Sequence, residues 1–348
     1  MIDSIVMPIG KGTIVPAGQP ILRESSFFRR NMADSQAYSI NNILIAGDGR
    51  LWFSYAKYWF RMRDSLIESE GFLEHGIGYY EKNKIYTYET KQGFPDAFVN
   101  SINQDYMGNI WIGTADNGLI CFDGKSFVSY DMTQGMPGNC IEGISFDAKG
   151  RMWFGSSSVK PNEHGLTGLN CFDGTRVLYY KNGGANSIAI DSTGKIWALS
   201  TKRGLSSFDG NKFTYYKEIE RSVAHDFFAN MQMDKKGNLW IQTSAPKLIK
   251  YNGKQFTTYN SEQIGTAYNI GVIYVDSENN IWLGTHNGLI RYTNGVFKPF
   301  YSEVMHRKYS GVKCIAQSKT GELFLGTAFD GIYYFDGKNF TPLSEKKE

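Results

Sequence analysis

The chain has 348 residues, 41% of them hydrophobic and 15% aromatic, with 38 glycines and a formal net charge of +3. A balance this close to neutral gives no general argument for nucleic acid or an anionic membrane as partner. No uncharged apolar run approaches the roughly 18 residues that a membrane-spanning helix needs.

Residues 1–38 form an N-terminal arm ahead of the first clear strand. The opening Met-Ile-Asp-Ser-Ile-Val-Met-Pro lacks the basic region and long apolar core of a secretory signal. From residue 39 a pattern sets in that is sharpest at residues 105–130. There two short apolar, β-prone runs flank a tight D-x-x-G turn, and a third and fourth run flank a D-G turn. Alternating apolar and polar residues bounded by such turns argue for antiparallel strands.

The pattern returns with an aromatic anchor at Trp52, Trp111, Trp153, Trp197, Trp240, Trp282 and Phe324, at spacings of 59, 42, 44, 43, 42 and 42. Six residues earlier stands Asp105, Asp147, Asp191, Asp234 or Asp276, replaced by Ala46 in the first copy and Ser318 in the last. Three residues earlier stands glycine, or Asn279 in the sixth copy. Gly and Asn at one fixed place mark backbone of positive φ, and the Asp carboxylate suits the N–H groups of the turn. These aspartates therefore read as turn residues, not as catalytic carboxylates.

A period near 42 with four strands per unit defines an all-β, seven-bladed β-propeller over residues 39–343, with four antiparallel strands per blade. Residues 344–348 form a charged tail. The anchors and the apolar positions nine residues before them are expected to fill the gaps between blades. Around Phe27 the arm reads in two ways: as an outer strand closing the ring against the last blade, or as an extra strand or wrapped arm. The first blade carries a long insertion, residues 55–78, in which Asp64 is placed to cap a short helix. The four cysteines show no C-x-x-C spacing and read as packed free thiols.

Connectivity separates two faces. The a–b and c–d links are tight turns on one face. The b–c and d–a links lie on the other and vary in length, so that face is the candidate binding face. All five histidines fall there: His75, His164, His225, His286 and His306. The insertion adds Tyr58, Trp59, Arg61 and Arg63; other links add Arg203, Lys247, Arg307 and Lys308. Aromatic platforms beside cations suit a sugar ring that carries an anionic group.

The G-N-I-W-I-G-T…G-L-I-C-F-D-G run resembles the two-component regulator propeller repeat, over about residues 39–343. That resemblance implies a sensor region of a bacterial hybrid two-component system in a periplasmic or extracytoplasmic setting. It also implies a non-enzymatic chain that binds a small-molecule or oligosaccharide ligand without a cofactor, and a signalling protein as a further partner. Two other readings stand beside it: a metal-assisted lyase using the rim histidines, and a protein-interaction platform.

Overall fold

The computed structural model describes residues 4–24, 27–28, 36–63, 66–157, 165–181, 184–201, 203–217, 219, 228–302 and 311–345; the side chains of residues 60–72 lie outside that description. Seven antiparallel sheets stand in a closed ring, each inner strand against the next and the last against the first. The inner strands are Gln36–Ile45, Val99–Gln104, Cys140–Phe146, Ser187–Ile190, Phe228–Met233, Val272–Val275 and Val312–Gln317. The seven-bladed propeller expected from the period is the fold.

Every anchor occupies the second position of its blade's second strand, as Trp111 does in Ile110–Thr114 and Trp153 in Met152–Ser157. From there it points at the following blade. Trp153 of the third blade is buried among Ile188, Ile196, Ala198 and Phe208 of the fourth. Phe324 of the seventh joins Ile40, Leu51, Phe53 and Tyr55 of the first. Seven such clusters fill the seven gaps, so each blade buries its faces only against its neighbours.

At the a–b turns, Gly108, Gly150 and their equivalents take φ between 78° and 95°, and Asn279 takes 66°. The fixed Gly or Asn is thus required by the left-handed backbone. The four cysteines are buried free thiols, and burial pushes those of Cys121 and Cys171 up to about 12.

Four sheets have four strands and three have five. The arm supplies the difference. Ser4–Pro8 pairs with Arg176–Tyr180 of the third blade, Thr13–Pro16 with Ser126–Tyr130 of the second, and Ile21–Arg23 with Lys84–Tyr88 of the first. The arm therefore runs along three outer edges in reverse blade order. Arg23 ends it in an ion pair with Glu89.

Phe27 and Phe28 lie in a turn rather than in an outer strand of the last blade; that strand is Phe340–Pro342. Phe28 is buried at the seam between the last and first blades, edge-on to Phe53 at 5.2 Å. Gly331 passes directly beneath it at φ 72°, where a Cβ would collide with Phe28. No strand is exchanged across this seam among the described residues. Cys314 Sγ donates to Ile40 O at 3.5 Å, and Tyr38 bridges to Asp330.

The insertion in the first blade differs from its expectation. Leu51–Arg63 and Leu66–Glu81 form one long hairpin, so the residues beyond Asp64 are strand and not helix. Asp64 itself lies outside the described residues.

Candidate functional site

The inner strands begin at the d–a end of the ring and leave a central cavity of about 620 Å³ lined by residues from all seven of them. One register position supplies Asn41, Asn100, Asn186, Ala229 and Lys313 to that lining. Eleven residues before the anchors stand Asn41, Asn100, Glu142, Asn186, Ala229, Gly271 and Lys313, one per blade. None is buried. Because this position falls near the start of each inner strand, the ring sits at the mouth on the variable face.

The hydrogen bonds of this ring are local. Lys313 Nζ donates to Asn41 Oδ1 at 2.7 Å and to Ser39 Oγ at 3.2 Å. Asn186 Nδ2 donates to Glu142 Oε2 at 2.5 Å, while its Oδ1 accepts from the Thr201 amide and hydroxyl. Asn100 Nδ2 donates to Ile141 O at 3.2 Å. Burial raises the pKa of Glu142 and lowers that of Lys313. Desolvation is the first cause of both shifts.

A second cavity, about 530 Å³, opens between the sixth and seventh blades. Tyr268 and His286 form one side, with ring centroids 5.2 Å apart and Tyr268 49% exposed. Lys313 lines both this cleft and the channel.

The rim residues expected from the sequence are scattered around this centre. His286 lines the cleft. Tyr58 in the long hairpin meets Phe329 of the seventh blade edge-on at 6.3 Å, which ties the hairpin to the seam. Trp59 beside it is 41% exposed. Arg61 and Arg63 belong to the same strand, but their side chains are outside the description. Arg203 is exposed and Lys247 half-buried in the b–c links of the fourth and fifth blades, and neither lines the channel or the cleft. His164, His225, His306 and Arg307, with Lys308, lie outside the described residues.

His75 pairs with Asp96 at 2.7 Å and lies against the Phe98 ring. Burial lowers its pKa against the opposing pull of Asp96. Among the described residues, no three His, Cys, Asp or Glu side chains converge as a metal site.

Sequence reasoning passed over Glu142, Lys313, Tyr268 and the asparagines. The signal was present: a fixed phase relative to the anchor, where polar residues replace the apolar ones expected of strands.

This is a β-propeller with a polar mouth on its variable face. More particularly, the family model of the two component regulator propeller matches two of its stretches, residues 93–116 and 265–287. No curated protein matches the sequence. Among solved structures, the extracellular domain of a putative hybrid two component system from B. thetaiotaomicron is similar at TM-score 0.66 and 17% identity. The match covers 94% of this chain but only 41% of that one.

Virginiamycin B lyase from Staphylococcus aureus is similar at TM-score 0.62 and 13% identity, over 92% of this chain and 98% of that one. PorZ, a type-IX secretion component of Porphyromonas gingivalis, is similar at TM-score 0.61 and 19% identity, over 82% and 45%. At these identities the likeness is one of fold.

Proposed function

We propose that this propeller is a non-enzymatic, sensor-type module that takes a small extracellular ligand of the carbohydrate class at its channel mouth. The observation that carries the reading is the junction of the two cavities at Lys313. There a cation with neutral partners meets an exposed aromatic ring, Tyr268, and a wall of side-chain amides. An aromatic face covers the apolar C–H surface of a sugar, amides bond its hydroxyls, and the ammonium takes an anionic substituent. The volume of either cavity lies within the roughly 300–1,000 Å³ typical of small-ligand sites.

The fold likeness to an extracellular domain of a hybrid two component system supports an extracytoplasmic setting and a signalling protein as partner. A glycan array followed by calorimetry tests the reading. Binding of a defined saccharide that Tyr268→Ala weakens supports it. A stoichiometric divalent ion held by the rim histidines, with turnover of a substrate, would replace it by lyase chemistry.

A further inference from the structure

Glu142 and Lys313 are the acid and the base of the ring formed eleven residues before the anchors. They stand on the third and seventh blades. Those blades are three places apart round one side and four round the other, the greatest separation that seven blades allow. Lys313 lines the channel, and Glu142 is bonded to Asn186, which lines it from the opposite side of the ring. Asn41 and Asn100 stand between them on one side; on the other, Asn186 gives way to the small Ala229 and Gly271.

Neither charge is matched by the protein. Among the described residues, the partners of Lys313 are the oxygens of Asn41 and Ser39. Those of Glu142 are the Asn186 amide at 2.5 Å and the Cys140 thiol at 4.0 Å. A charge whose protein partners are all neutral leaves its ion pairing to a ligand that brings the opposite charge. Burial disfavours the charged form of each group, as the directions of both pKa shifts record.

We propose that the channel mouth recognises a dipolar sugar, one that carries a carboxylate for Lys313 and an ammonium for Glu142, with Asn41, Asn100 and Asn186 bonding the hydroxyls between. This rests on the carbohydrate reading above and narrows it to amino-sugar acids. A neutral sugar leaves both charges unmatched, and a purely anionic one meets Glu142 with like charge. Ala229 on the fifth blade and Gly271 on the sixth are exposed, and Gly271 also lines the cleft.

The test is calorimetry with three matched probes on the intact chain. 2-Amino-2-deoxyglucuronic acid carries both charges at opposite ends of its ring, its N-acetyl derivative lacks the ammonium, and glucosamine lacks the carboxylate. The aminouronic acid is expected to bind at least about tenfold more tightly than either control. Glu142→Gln should abolish its advantage over the N-acetyl derivative, and Lys313→Met its advantage over glucosamine. Lys313→Arg, which keeps the charge, should retain the preference.

Failure of the aminouronic acid to bind, equal binding of the three probes, or preferences unchanged in the two neutral variants would overturn the proposal. A saccharide from the array that binds both variants as well as the wild type would leave the sensor reading standing and remove this one. Absence of any saccharide binding would remove both.

Discussion

The indole Nε1 of Trp153 donates to Asp147 Oδ2 at 3.0 Å, so the turn residue and the blade anchor are one unit. Asp147 Oδ1 meanwhile accepts from the Lys149 and Arg151 amides. The same bond to the anchor joins Asp105 to Trp111, Asp191 to Trp197, Asp234 to Trp240 and Asp276 to Trp282, at 2.7–3.0 Å. The seventh blade dispenses with both partners at once. Its anchor is Phe324, which has no N–H, and Ser318 takes the turn amide of Glu322 instead. The carboxylate thus satisfies the a–b turn and the buried indole together.

Asp147→Ala is expected to lower stability by about 2–4 kcal/mol, because it removes bonds to a charged acceptor and leaves a buried indole N–H unpaired. Urea unfolding measures it. In a double-mutant cycle with Trp153→Phe the two changes should couple by about 0.5–3 kcal/mol. Strict additivity would mean the indole bond contributes nothing.

The same bonds set an acid limit. Burial would raise the pKa of Asp147 and of Asp191, but donors overturn it and hold both below the usual range. Those donors are the Trp153 indole and Arg151 for Asp147, and the Thr193 hydroxyl and the Trp197 indole for Asp191. A depressed folded pKa gives stability that is complete above the unfolded value of about 3.9 and is lost as pH falls through the folded one. Unfolding midpoints should therefore hold steady at mildly acidic pH and drop below about pH 4. In Asp147→Asn that drop should be shallower; an equal drop would deny Asp147 its share.

Phe28→Ala is expected to cost about 3–5 kcal/mol, as for a buried aromatic, since Phe28 fills the seam beside Phe53 and Gly331. Gly331→Ala should also destabilise, through its φ of 72° and the missing space. Melting temperatures close to wild type for both variants would show that the seam does not depend on the arm.

The blades were legible because the anchor, the turn glycine and the aspartate recur in phase, and each repeats for a local physical reason. The arm was not. Ser4–Pro8, Thr13–Pro16 and Ile21–Arg23 are short and follow no repeat, and only pairing with distant outer edges makes them strands. The helix expected after Asp64 rested on local capping chemistry, and the partner strand Leu51–Arg63 outweighed it. In the site, the loop histidines drew the eye because residue type alone marks them. Glu142 and Lys313 carry meaning only once the ring sets them on opposite walls.

Trp59→Ala tests the hairpin. The ring is 41% exposed, so its loss should shift the melting temperature little. If the hairpin reaches over a bound ligand, affinity for the saccharide found on the array should fall by about 1–3 kcal/mol, the range for a hot-spot aromatic. Lost stability with unchanged affinity would make Trp59 a staple of the hairpin.

Hydrogen exchange with and without the saccharide found on the array tests the placement of the site most directly. Protection is expected at residues 41–43, 267–272 and 311–315, where the channel mouth and the cleft join at Lys313. Protection confined to the tight-turn face, around residues 105–109 and 147–151, with the mouth unchanged, would contradict it.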